Sequence, residues 1–232
     1  YSAFLSPTSI NYIKTVVEYL NRNNHQFILI NSLKKYLDKE GKQYSYFKDD
    51  QVLDKKINFL FSIGGDGTLL RSISVIRNTK IPILGINAGR LGFLTSIKKD
   101  TLEEGLDLFF EGKYTNIERS LLEVSTKNPI NALQDFKYAL NEVSINRKNT
   151  TSLLSIDAKL DDQFLTTYWA DGLIIATPTG STGYSLSSGG PIVSPSSECL
   201  VVNPIAPHNI NMRPLIVPDQ TIFEISVKGR GK

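Results

Sequence analysis

"FLFSIGGDGTLLRSI" occupies residues 59–73. An apolar run stops abruptly at Gly64-Gly65-Asp66-Gly67-Thr68, and apolar residues resume at helical spacing: Leu69, Leu70, Ile73, Ile76. The run "INFLFSI" (57–63) has the pattern of a strand covered on both faces. The spacing after it predicts a helix over 68–77. A strand that hands over to a helix through a glycine-flanked carboxylate is one step of an α/β sheet, and the surrounding sequence repeats that step.

Working outward, residues 8–22 carry Ile10, Ile13, Val17 and Leu20 on one helical stripe. "HQFILI" (25–30) reads as a short buried strand, "SLKKYLDKEG" (32–41) as a polar-faced helix stopped by Gly41, and "IPILGI" (81–86) as another buried strand. Thr101 and Glu104 have capping-box spacing before a helix through Phe109 and Phe110. This alternation predicts a Rossmann-like α/β domain over residues 1–115, with an open, mostly parallel sheet.

Beyond residue 115 the pattern changes. "LLEVST", "KYALNEVSINR", "LLSIDAKL", "QFLTTYW", "GLIIAT", "CLVVNPI" and "TIFEISV" are strand-like, with turn signals such as "LDDQ" (160–163) between them. The expectation is a mainly β domain over 116–232. The Ser/Gly/Pro-rich segment 178–197 lies between strands and reads as a functional loop.

Bulk properties narrow the function. The 232 residues carry a net charge of +3 spread along the chain, too little to argue for nucleic acid. No apolar run approaches the roughly 20 residues of a membrane span, and no signal peptide is visible. The single cysteine, Cys199, excludes an internal disulfide, is expected to be buried, and fits a reducing compartment, so the expected location is cytoplasmic. The start at Tyr1 without Met and the stop after "EISVKGRGK" point to ends that extend further.

Asp66 admits two readings. In one it caps a tight strand-to-helix turn and suits the helix dipole. In the other it serves a ligand. The chain has no G-x-x-x-x-G-K-[ST] loop, and the dinucleotide fingerprint G-x-G-x-x-G fails from Gly65 because Leu70 stands at the third glycine. Three glycines exceed what a tight turn needs, and they clear side chains from around Asp66. N–H groups at a helix start bind anions. A carboxylate beside a phosphate cradle either binds Mg²⁺ or accepts a proton from an attacking hydroxyl.

The second glycine-rich stretch, "ADGLIIATPTGSTGYSLSSGGP" (170–191), could be a flexible linker, but linkers rarely space Tyr, Leu and Pro in this way. Its hydroxyls and N–H groups suit ribose and phosphate oxygens, with Tyr184 available to stack. Asp171 is either a turn carboxylate or a ligand acceptor. Asn141 and Glu142 are adjacent, so on a strand they face opposite ways, and buried polar pairs need partners.

Together these pieces resemble the NAD kinases. The resemblance rests on "GGDGTLLR" (64–71), "PILGINAGRLGFLT" (82–95), "NE" (141–142), "DGLIIATPTGSTGYSLSSGGPI" (171–192) and "VVNPIAPHNINMRPLIV" (201–217). It implies an N-terminal α/β domain and a C-terminal β domain with the site between them. It implies transfer of the terminal phosphoryl group of ATP to the 2′-hydroxyl of the adenosine ribose of NAD, giving NADP, with Mg²⁺ or another divalent ion required. Some members accept other nucleoside triphosphates or polyphosphate, and members form homodimers or homotetramers.

By position, Asp66 matches the family's proton acceptor and Gly67 lies beside bound nucleotide. Arg71 is placed to reach phosphate, and Phe93 matches an aromatic that packs on adenine. Asn141 and Glu142 match the pair gripping ribose and adenine, and Asp171 an acceptor on the nicotinamide side. Thr182, Gly183, Tyr184, Ser185, Leu186 and Ser187 match the loop lining the same ligand, and Ala206 a small residue against it. Metal ligands are not specified.

There are two departures from the family pattern. Gly183 stands where many relatives have Ala, and Trp169 stands where many have Arg. A contact to NAD phosphate would then come from an aromatic surface or from a basic group elsewhere.

Two rival readings remain. A lipid kinase of the diacylglycerol kinase type shares G-G-D-G but leaves "TPTGSTGYSLSSGGPI" unexplained. A non-catalytic NAD(H)-binding protein has no need of Asp66 as proton acceptor. His25 is expected to serve packing or surface, and His208 either lines the site or is structural. No Cys/His cluster supports a structural zinc.

Overall fold

The first helix, α1 (Pro7–Arg22), begins where several start signals coincide. The Ser6 hydroxyl accepts the Ser9 N–H, the Ser9 hydroxyl accepts the Ser6 N–H, and Pro7 takes the first helical position. Its predicted stripe turns inward: Ile13, Val17 and Leu20 are buried. The computed structural model describes residues 1–38, 43–49, 51–89, 92–134, 137–148 and 152–228. Gly41, the expected helix stop, lies outside the described residues. The chain divides into two units, Tyr1–Asn116 with Ile130–Phe136, and Ile117–Pro129 with Lys137–Lys232.

In the first unit α1 is followed by β1 (Leu29–Ile30), α2 (Lys34–Leu37), β2 (Tyr46–Phe47), β3 (Leu60–Gly64), α3 (Asp66–Ile76), β4 (Ile83–Asn87), α4 (Leu102–Phe110) and α5 (Asn131–Gln134). β1 pairs with β2 and β3 with β4, both parallel, in register from Leu60↔Ile83 to Gly64↔Asn87 for the second pair. α1 and α3 pack on β3, and Leu69, Ile73 and Ile76 of α3 are buried.

Three expectations here need correction. The strand over 25–30 shrinks to Leu29–Ile30, because its partner β2 offers only two residues to pair with. The helix over 32–41 becomes a 3-10 turn at Asn31–Leu33 and a single α-turn, neither of which has a side-chain cap to support a longer helix. Thr101 is the N-cap of α4 but makes no capping bond, since φ −124 and ψ 31 lie outside the extended geometry that a side-chain cap requires.

The second unit contains β5 (Leu122–Glu123), β6 (Tyr138–Ala139), β7 (Glu142–Asn146), β8 (Leu154–Leu160), β9 (Gln163–Ala170), β10 (Gly172–Ala176), α6 (Tyr184–Ser187), β11 (Cys199–Ile205), β12 (Leu215–Pro218) and β13 (Phe223–Lys228). Antiparallel pairing gives a four-stranded sheet, β12-β11-β10-β7, and a three-stranded sheet, β13-β8-β9. Asp161 and Asp162 close the β8–β9 hairpin with φ of 48 and 65, the two left-handed residues of a type I′ turn.

Leu173 and Val202 pack with Ile156, Ala158 and Tyr168 of the three-stranded sheet. Ile174, Ala176 and Val201 point to the other face of the four-stranded sheet, where Val193 covers them. β10 is therefore buried on both faces, as its unbroken apolar run requires. Cys199 opens β11 and is only partly buried, less than expected, because the first residue of a strand lies at the sheet's end. Among the described residues no helix is long and apolar enough to cross a membrane.

Candidate active site

Asp66 is the first residue of α3, and the N-cap is Gly65, which makes no side-chain capping bond. The carboxylate is engaged elsewhere. Its Oδ2 accepts the Phe93 N–H at 2.8 Å and its Oδ1 accepts the Leu94 N–H at 3.1 Å. The capped-turn reading of Asp66 therefore fails.

The three glycines differ in purpose. A Cβ at Gly64 would run into the Thr68 side chain, so packing demands glycine there. A Cβ at Gly65 would meet nothing within 4 Å, and one at Gly67 only the Phe4 ring, at 3.7 Å. No internal contact forbids side chains at these two positions, and their absence opens the helix start to an anion. Arg71 is exposed one turn after Gly67, its guanidinium 4.8 Å from the centre of the Phe4 ring. Phe93 is 89% exposed, with its ring free to stack. A cavity of about 1290 Å³ in the same unit is lined by residues such as Val17, Phe47 and Phe61; among the described residues its wall carries no carboxylate and none of the candidate residues.

Among the described residues no group of three or more His, Cys, Asp or Glu could hold a metal ion. A cage made of protein groups alone is thus not offered. Asp66 beside an open anion site fits the other way of holding Mg²⁺, through one carboxylate and the phosphates of the substrate.

In the second unit, Asn141 and Glu142 do not face opposite ways. Asn141 precedes β7, so strand alternation does not reach it, and both side chains turn toward Gly183. A Cβ on Gly183 would lie 3.1 Å from Glu142 Oε2 and 3.6 Å from Asn141 Nδ2. Asn141 Oδ1 and Glu142 Oε2 are buried and accept no hydrogen bond. Burial pushes the Glu142 carboxyl above its ordinary value. A buried polar group left unpaired costs about 1–3 kcal/mol, so this pair is arranged for a donor that arrives with a ligand.

The segment after β10 is sewn to these two residues. Thr177 donates its N–H to the Asn141 carbonyl at 2.9 Å and its hydroxyl to the Leu140 carbonyl at 2.5 Å. A Cβ at Gly180 would overlap the Asn141 backbone, so only glycine allows this approach. The segment expected to be a loop forms a 3-10 turn, Thr179–Thr182, followed by α6.

That geometry corrects the reading of its hydroxyls. Thr177, which follows β10, Ser181 in the 3-10 turn and Ser185 in α6 are all wholly buried. The Ser181 hydroxyl donates to the Pro178 carbonyl, and Ser185 accepts from Asn203 Nδ2 at its carbonyl and its hydroxyl. Ser185 therefore holds the segment in place and has no free surface for ligand. Thr182, Tyr184, Leu186 and Ser187 are exposed, although the Thr182 hydroxyl already donates to the Thr179 carbonyl.

At the other end of β7, Arg147 Nη2 lies 2.8 Å from Asp171 Oδ2, and the Tyr184 hydroxyl is 3.4 Å from Asn146 Oδ1. Ala206 follows β11 with a left-handed φ of 44, and Asp171 donates its N–H to the neighbouring Ile205 carbonyl. Trp169 is 46% exposed, and its carbonyl accepts the His208 N–H. His208 is exposed here, while His25 stacks on Phe110, a packing role.

Sequence reasoning missed Arg147, Asn146 and Asn203. It also missed Arg119, which donates to the Thr179 hydroxyl at 3.1 Å. A lone arginine after a strand carries no signal.

An open anion site beside an oriented carboxylate in an α/β unit, joined in one chain to a β unit with unfilled polar acceptors, defines a phosphotransferase acting on nucleotides. Comparison with known proteins makes this specific. Residues 5–114 match the family described as the ATP-NAD kinase N-terminal domain, and residues 140–232 match its C-terminal domain. The chain belongs to the NAD kinase family.

The NAD kinase of Christiangramia forsetii is 47% identical over 100% of this chain and 80% of its own length. That of Flavobacterium psychrophilum is 46% identical over 94% of this chain and 75% of its own. Among solved structures, yeast NADH kinase complexed with NADH matches with a TM-score of 0.82 at 25% identity, covering 98% of this chain and 70% of that one. An NAD kinase from Archaeoglobus fulgidus in complex with ATP matches with a TM-score of 0.69 at 28% identity, covering 94% and 77%.

Proposed function

We propose that this NAD kinase uses Asp66 as the proton acceptor for transfer of the terminal phosphoryl group of ATP to the 2′-hydroxyl of the adenosine ribose of NAD. The observation that carries the assignment is the Asp66 carboxylate, turned away from its own helix cap and held by two backbone N–H groups, beside Gly65 and Gly67, where no described contact demands glycine. A carboxylate offers about four lone-pair positions, so two stay free for the hydroxyl.

The ribose O–H proton passes to Asp66 as the ribose oxygen bonds to phosphorus and the bond to the ADP oxygen breaks. The products are NADP and ADP, and the proton on Asp66 is later lost to water. Such base catalysis is worth about 10² to 10⁴ in rate. The Asp66 carboxylate, together with the donor phosphates, would hold a Mg²⁺ ion, which would supply neutralisation of their charge. The N–H groups of Gly65 and Gly67, with Arg71, hold those phosphates; the Thr68 N–H is taken by the Gly65 carbonyl.

Asn141 and Glu142 take hydrogen bonds from the adenosine part of NAD. Phe93 and Tyr184 offer stacking faces, Ala206 gives close contact, and Asp171 with Arg147 serves the nicotinamide side. Arg147, paired with Asp171 after β7, supplies a basic group for this side of the ligand. Its low cysteine use fits the cytoplasm, and the family resemblance a homodimer or homotetramer.

The test is incubation with NAD and Mg²⁺ and, separately, ATP or inorganic polyphosphate, reading NADP with a coupled dehydrogenase. NADP formed with ATP is expected. Binding of NAD with no NADP formed from either donor would favour a non-catalytic NAD(H)-binding role.

A further inference from the structure

The segment Gly92–Leu94 touches Asp66 in two ways. Its backbone supplies both N–H bonds to the carboxylate, one to each oxygen, from consecutive residues. Its Gly92 lies directly against the carboxylate, where a Cβ would fall well inside contact distance of Cγ and both oxygens. The φ of Gly92 is not in the left-handed region, so its own conformation does not call for glycine. Among the described residues, the atoms nearest to such a Cβ all belong to the Asp66 carboxylate.

A carboxylate on a flexible Cβ–Cγ bond rotates broadly about its last torsion. Two N–H donors on two oxygens fix that rotation, and the bare face of Gly92 fixes the depth at which the group rests. We infer that Gly92 is a positioning residue: it seats the Asp66 carboxylate on the Phe93 and Leu94 amides, and so sets the direction from which a substrate hydroxyl is met. This rests on Asp66 being the proton acceptor. It also ties two tasks together, because Phe93 presents its exposed ring from the residue whose amide binds Asp66, so a ligand stacking on that ring loads the same three-residue segment.

The test is a double-mutant cycle of Gly92→Ala and Asp66→Ala, read by kcat, by KM for NAD and ATP, and by Tm. Gly92→Ala is expected to lower kcat on the order of 10²-fold, the cost of displacing a reacting group by about an ångström. Both KM values should stay within about two-fold, as for an interaction felt only in the transition state. The Tm should fall, because the carboxylate must leave its seat. In the Asp66→Ala background the collision is gone, so adding Gly92→Ala should change neither residual turnover nor Tm.

Near-wild-type kcat in Gly92→Ala alongside a crippled Asp66→Ala overturns the positioning role and leaves the catalytic assignment standing. An equal loss from Gly92→Ala in both backgrounds overturns it too. Wild-type turnover in Asp66→Ala removes Asp66 from the reaction altogether. Where Gly92→Ala alone fails to fold, the double variant must fold with the Tm of Asp66→Ala, and failure there overturns the seating argument.

Discussion

The two units treat their functional acids in opposite ways. Asp66 has its oxygens occupied by amides of its own chain. Glu142 and Asn141 each keep a buried oxygen that nothing in the chain satisfies. The first arrangement fits a group that must point in one direction before the reaction begins, since orientation set in advance costs nothing at the transition state. The second fits groups whose partner arrives with the substrate, so that binding energy recovers the cost of leaving them bare. On the proposed function, the pre-satisfied acid would serve rate and the unsatisfied pair recognition.

That contrast breaks first at Asp66. Asp66→Asn keeps the size and one acceptor but loses the base, and kcat should fall about 10²- to 10⁴-fold with NAD affinity little changed. Steady-state kinetics decide it, and near-wild-type turnover would take Asp66 out of the mechanism. Tyr184→Ala should raise KM for NAD about three- to ten-fold with kcat nearly constant, the worth of one aromatic contact. An unchanged KM counts against the segment 182–187 as a NAD surface.

Gly65→Ala sharpens the role of the open glycine. With nothing within 4 Å of the added methyl, Tm should hold, while KM for ATP rises by a few-fold; an unaltered KM would mean that the donor does not approach there.

Glu142→Gln gives the smallest effect and a definite sign. Burial raises the Glu142 carboxyl above its ordinary 4.5. The stability this group contributes is therefore complete below 4.5 and lost as pH rises through the folded value. At neutral pH the variant should melt higher than the parent, by about 2 °C, and this advantage should vanish as pH falls toward 4.5. Parallel melting curves across pH would deny the buried, unpaired carboxyl.

Much of the architecture was legible because one pattern settled each element. The stripe Ile10, Ile13, Val17 and Leu20 placed α1, and the unbroken runs placed β3, β4 and β10. The pair Asp161-Asp162 marked its hairpin. Elements whose limits depend on a distant partner were not legible. β1 ends where β2 stops pairing, and the Thr101 cap is lost to a backbone angle.

The site divided in the same manner. The glycines and Asp66 announced themselves because they break local rules. Gly92 did not, since its reason lies 26 positions earlier in the chain, at Asp66. Ser185 looked like a ligand hydroxyl because composition records that a hydroxyl exists, not which way it turns. Asn141 misled because an alternation rule was extended one residue past the end of its strand.

Strand β7 has a consequence of scale. It carries Glu142 at one end and Asn146, next to Arg147, at the other, with Glu142, Ser144 and Asn146 on one side of the pleat. Four residue steps of about 3.3 Å separate those ends by about 13 Å, and Tyr184 reaches from beside Gly183 to Asn146 along the same span. The strand therefore works as a gauge. A mononucleotide is too short to span from Glu142 to the Arg147–Asp171 pair, whereas two nucleotides joined end to end are long enough. The distance is set by the backbone, so substitution of side chains leaves it untouched.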